Sequence, residues 1–115
     1  MRLLLRVSFL SMSLITSHHV LAHAKPQAQS PLANAQLSEA KEIRLQFSET
    51  LEAAFCTVQL FNEQGAKVLL TKPTIEDKTL FVALPALSKG RYHVKWSVVS
   101  VDGHRTKSSY HFFIK

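Results

Sequence analysis

Arg91-Tyr92-His93-Val94-Lys95-Trp96-Ser97-Val98-Val99-Ser100-Val101 is the longest stretch of this 115-residue chain in which polar and apolar residues alternate. A period of two is the mark of a strand with one buried face. Tyr92, Val94, Trp96 and Val98 fall on one side, and His93, Lys95 and Ser97 on the other. Trp96 is the natural core anchor. Outward from this strand the same reading repeats. Glu42-Ile43-Arg44-Leu45-Gln46-Phe47 alternates cleanly, and Thr57-Val58-Gln59-Leu60-Phe61 is a second short strand. A turn at Asn62 to Ala66 returns the chain through Val68-Leu69-Leu70. After a polar connection over residues 73–78 come Thr79 to Leu84, a turn at Pro85 to Gly90, the long strand, and Ser108 to Ile114. Only residues 50–55 look helical, and they are too few to matter. Six or seven short strands spaced by turns predict an antiparallel sandwich or small barrel in one domain.

The opening residues belong to something else. Arg2 and Arg6 precede an apolar run over residues 7–15, and Val20-Leu21-Ala22 is an acceptable cleavage end. This is the anatomy of a secretory signal over residues 1–22, and the apolar run is far short of the roughly 20 residues a membrane span needs. An exported domain of residues 23–115 is therefore expected. It opens with Pro26 and Pro31 in an extended lead-in and a turn around Ser30-Pro31-Leu32-Ala33-Asn34. Loss of two of the 14 basic residues leaves the eight acidic ones and a charge of +4. The basic residues are scattered, without the stripe or arm that nucleic-acid binding uses, so no nucleic-acid partner is expected. Cys56 is the single cysteine. It reads as a small core residue, no internal disulfide can form, and zinc or dithiol chemistry has no motif. Three dispersed glycines make no phosphate loop, and no serine sits in a nucleophile context. No catalytic residue is assigned.

Metal ligation is what remains. His23, His93, His104 and His111 lie beyond the signal. Cleavage after Ala22 frees the α-amine of His23, so that amine and ring Nδ1 form one chelate. A further imidazole completes three nitrogens in a plane, a set suited to copper(II), which favours tetragonal nitrogen and oxygen surroundings. Asp102-Gly103-His104 offers a carboxylate and an imidazole. On a continuing strand, residues two apart share a face and both reach one ion. Asp-Gly is equally a hairpin signal. His93 and His111 read as surface residues on polar faces. Cleavage after Ala24 also satisfies the small-residue rule and removes His23.

Several blocks resemble one family: Ala22-His23-Ala24, Ser30-Pro31, Leu45-Gln46-Phe47-Ser48-Glu49, Gly90-Arg91-Tyr92, Val94-Lys95-Trp96, Val98-Val99-Ser100-Val101-Asp102-Gly103-His104 and Tyr110-His111-Phe112. In combination they are similar to the CopC family of bacterial periplasmic copper proteins, in a short form, over nearly all of residues 23–115. The resemblance implies an Ig-like Greek-key β-sandwich and cleavage after Ala22. It implies one copper(II) per chain, held by His23 through both nitrogens, by His104 and by Asp102. Glu49 is implied at the edge of the site, as a weak ligand or a partner orienting the amine. It also suggests an inner-membrane CopD-like copper transporter as partner, and nothing demands more than a monomer. The only methionines are Met1 and Met12, so the methionine-built copper(I) site of some members is not expected. Two other readings stand beside a copper buffer or carrier. One is a histidine-brace oxidative copper enzyme, whose open coordination position Asp102 would crowd. The other is a metal-free exported Ig-like interaction module, favoured if the chain starts at Lys25.

Overall fold

The computed structural model describes residues 24–115; the expected signal segment, residues 1–22, and His23 lie outside the described residues. Nine strands follow in chain order: β1 (Pro26–Ser30), β2 (Gln36–Leu37), β3 (Glu42–Phe47), β4 (Thr57–Phe61), β5 (Lys67–Val68), β6 (Thr74–Glu76), β7 (Thr79–Ala83), β8 (Gly90–Val99) and β9 (Arg105–Ile114). They form two sheets, one ordered β1-β3-β7-β6 and the other β2-β9-β8-β4-β5. All pairings are antiparallel except the short β2–β9 contact. The chain passes repeatedly from one sheet to the other, giving a single-domain β-sandwich.

Alternation explains which faces meet. Ile43, Leu45 and Phe47 of β3 are fully buried, while Glu42, Arg44 and Gln46 point outward. On the facing sheet Tyr92, Val94, Trp96 and Val98 of β8, and Tyr110, Phe112 and Ile114 of β9, supply the other half of the core. Phe47 meets Trp96 edge-on at 5.1 Å, across the gap between the sheets. Tyr92 and Phe112 stack at 5.6 Å on neighbouring strands. The Tyr92 hydroxyl, at the core's margin, donates to the Ser88 carbonyl at 2.7 Å, so the ring is buried without orphaning its polar end.

β3 and β4 have the expected bounds, and β8 ends two residues earlier, at Val99. The lead-in forms more than an extended tail, because β1 pairs with β3. The turn over residues 31–35 closes with the Ala35 amide on the Leu32 carbonyl at 3.1 Å. Residues 73–78, read as a polar connection, contain β6, which forms a hairpin with β7. The returning strand expected over Val68-Leu69-Leu70 is cut to Lys67–Val68; Leu69 is 87% exposed, because the chain there leaves β4 to change sheets. The helical-looking stretch is one 3₁₀ turn, Ala53–Phe55. Nine strands rather than about seven result because β2, β5 and β6 hold two or three residues, too few for a period to register. Cys56 is buried as expected. Its thiol donates to the Glu52 carbonyl at 3.2 Å, and burial pushes its pKa up.

Phe112 is fully buried between the sheets. Phe112→Ala is expected to lower the unfolding free energy by about 3–5 kcal/mol, a large part of the roughly 5–15 kcal/mol typical of a domain. Urea denaturation with an unchanged m-value checks this.

Candidate metal centre

The connection between β8 and β9 is a tight loop. The Gly103 amide donates to the Ser100 carbonyl at 2.8 Å, and the Ser100 amide to the His104 carbonyl at 3.0 Å. Gly103 has φ +91°, a conformation that costs glycine little and other residues more. This is the pattern of a three-residue hairpin loop with a glycine bulge. The Asp-Gly turn reading therefore holds, and so does the grouping of Asp102 with His104. A turn rather than a continuing strand brings these two side chains together.

The Asp102 carboxylate is held at three points. Its Oδ1 accepts from the Ser100 hydroxyl and from the His104 amide at 3.1 Å, and its Oδ2 lies 3.0 Å from His104 Nδ1. Ser100 is fully buried, so the loop is pinned from within. The Ser100 hydrogen bond, then those from the His104 ring and amide, lower the Asp102 pKa from 3.8 to about 2. Each of these bonds favours the charged carboxylate. A neutral His104 that donates Nδ1–H to this carboxylate carries its lone pair on Nε2, the orientation in which carboxylates commonly hold metal-binding histidines. Both side chains remain open to solvent, at 43% for His104 and 39% for Asp102.

Residues 48–51 tie this loop to the start of the described chain. The Ser48 amide donates to the Lys25 carbonyl, and the Lys25 amide to Ser48 Oγ, both at 2.9 Å. Two residues on, the Val101 amide donates to the Thr50 carbonyl at 2.9 Å, and Leu51 bridges Ser100. Lys25, Glu49 and the Asp102–His104 loop thus share one end of the sandwich. Glu49 lies between the two tie points and is partly exposed. His23 lies outside the described residues. Among these, no group of three or more His, Cys, Asp or Glu is placed to hold a metal ion; Asp102 and His104 supply two donors. Ser100 had no assigned role in the sequence, although a serine two residues before an aspartate is within reach of its carboxylate.

The sign of the Asp102 effect follows from its lowered pKa. Its contribution to stability is present above the unfolded value near 3.8 and is lost as pH falls through about 2. NMR titration of the metal-free protein should place the Asp102 midpoint at about 2. Ser100→Ala should raise it toward the ordinary range, and an unmoved midpoint would show that the serine does not hold the carboxylate.

The CopC domain family model matches residues 26–115. The chain is 41% identical over 114 residues to Protein YobA of Escherichia coli (strain K12), spanning 95% of this chain and 91% of that one. It is also similar to the crystal structure of CopC from Methylosinus trichosporium OB3b, with a TM-score of 0.74 at 26% identity over 79% of this chain and 92% of that one. PcoC, described as a methionine rich copper resistance protein from Escherichia coli, superposes with a TM-score of 0.72 at 27% identity, covering 82% and 100% of the two chains. With its sandwich, its pinned Asp102–His104 loop and a family match over residues 26–115, this chain belongs to the CopC domain family.

Proposed function

We propose that residues 23–115, freed from a signal segment by cleavage after Ala22, form a periplasmic protein that binds one copper(II) ion in copper homeostasis. The ligands are the amine and Nδ1 of His23, the imidazole of His104 and the carboxylate of Asp102, with Glu49 at the margin. The observation that carries this reading is the convergence at one end of the sandwich. Lys25 is fixed to Ser48, and Val101 to Thr50, on a single four-residue segment. Two residues of chain reach at most about 7 Å, so a residue 23 tethered to Lys25 stays near that end. The donor set fits the ion, because imidazole, amine and carboxylate suit copper(II) and the order of divalent affinities peaks at copper. The copper resistance named for PcoC supports the same reading.

The protein's part is to hold the ion rather than to transform a substrate. The loop presents two donors already oriented, which reduces the ordering that binding has to impose. The N-terminal limb brings the other two. No methionine follows Met12, so a copper(I) site built from thioethers is not part of the proposal. The role is that of a monomeric buffer or carrier, with a CopD-like inner-membrane transporter as the candidate recipient.

Intact mass of the exported protein should correspond to a chain beginning at His23 and, at one equivalent of the metal, gain one copper(II). A chain beginning at Lys25 would remove the central ligand and overturn the reading. His104→Ala should weaken copper(II) binding by more than the roughly 10–100-fold typical of losing a supporting hydrogen bond, and Ser100→Ala should fall within that range. Because amine and imidazoles bind the metal only when deprotonated, affinity should drop steadily from about pH 8 to about pH 5. A flat profile would contradict this ligand set.

A further inference from the structure

His93 and His111 are a pair. They are directly opposed across β8 and β9, with ring centroids 4.2 Å apart and planes within 11° of parallel. The His111 carbonyl accepts from Asn34 at 2.6 Å, on the side of β9 away from β8. The position is therefore a non-hydrogen-bonded pair, the one in which opposed side chains stand closest. Both residues point to the outer face of the five-stranded sheet, into a hollow of about 360 Å³ that Phe61, Glu63, Arg91 and Lys95 also line. His93 packs 6.4 Å from the Phe61 ring, which fences one side.

We propose that His93 and His111 together form a second metal site, chelating one divalent late transition-metal ion such as zinc, nickel or copper(II) through one nitrogen from each ring. Metal–imidazole bonds are about 2.0–2.1 Å, so the two donor nitrogens must approach a common ion. Rings this close and this parallel achieve that by turning about χ2, a broad torsion in histidine. Imidazole suits zinc, copper and nickel alike, and water completes the shell on the open side. Only neutral imidazole binds a metal. Burial, then Lys95 and Arg91, holds His93 below its ordinary pKa, and burial, then Arg91 and His93, does the same for His111. Arg91 and Lys95 are exposed, so salt screens their repulsion of the bound cation, and Glu63 on the rim carries the opposite charge. The pair lies seven residues along β8 from Ser100, about 23 Å at the rise of a strand. It therefore cannot share an ion with the Asp102–His104 loop and does not depend on that loop's function.

Zinc titration of the whole mature protein, followed through the histidine ring-proton NMR signals, tests the proposal. His93 and His111 should move on one saturation curve, and they should do so unchanged in His104→Ala, which disables the other site. His93→Gln and His111→Gln should each weaken this binding by at least about tenfold, and the double variant should cost little more than either single one, as expected for two parts of one chelate. Thermal unfolding of each variant confirms that the fold survives. Separate saturation curves, single-variant losses below about twofold, or ring signals that answer to inorganic phosphate and not to zinc would each overturn it.

Discussion

Residues 48–51 divide their backbone hydrogen bonds among three partners that are far apart in sequence, with the Leu51 amide donating to the Asp77 carbonyl at 2.9 Å. Ser48 exchanges bonds with Lys25, while Thr50 and Leu51 serve the loop at Ser100 and Val101. Phe47, immediately before it, is fully buried against Trp96, so the tie is anchored in the core. The positions of Glu49, Asp102 and His104 follow from this arrangement. The loop is held by a buried serine and two ladder contacts, and the N-terminal limb by a reciprocal pair of bonds. An unpaired backbone group in such a place would be costly, which is why the strap serves its neighbours at once.

Local pattern carried much of the fold. The alternation in residues 42–47 and 57–61 matched β3 and β4, because each has one face toward the core and one toward water. It could not reveal β2, β5 or β6, whose two or three residues are specified by their neighbours and not by their own period. The candidate site was legible in part. Asp102 and His104 do lie side by side, brought together by a glycine bulge and not by the periodicity of a continuing strand. Ser100 escaped notice because its role requires burial, which only the packed fold supplies. His93 and His111 were each placed on a polar face, yet their opposition depends on the register between two strands. Register belongs to the pair, and neither strand contains it alone.

Family membership and residue chemistry answer different questions here. The match over residues 26–115 assigns the scaffold and leaves open which donors this chain uses. The proposed set rests on the loop's hydrogen bonds and on composition. The E. coli structure of similar fold is described as methionine rich, whereas residues 23–115 of this chain contain no methionine. The same sandwich thus accommodates very different methionine contents, as expected when chemistry is carried by sites grafted on a common fold.

The outermost strands have a consequence for the behaviour of the protein in a crowded compartment. At the rims of the two sheets lie β1, β2, β5 and β6, of five, two, two and three residues. β1 opens with a proline and is otherwise small and polar. An exposed edge is a template on which a second chain can add a strand, and natural sheets blunt it with short strands and prolines. The two ten-residue strands, β8 and β9, pair with each other along their whole length, and the part of β9 that β2 leaves uncovered begins Arg105-Thr106-Lys107-Ser108-Ser109. The apolar half of β9 is thereby covered by its neighbours, and its open half carries Arg105 and Lys107, charges that discourage a second chain from adding there. The sandwich is built to resist edge-to-edge aggregation without a single disulfide to close it.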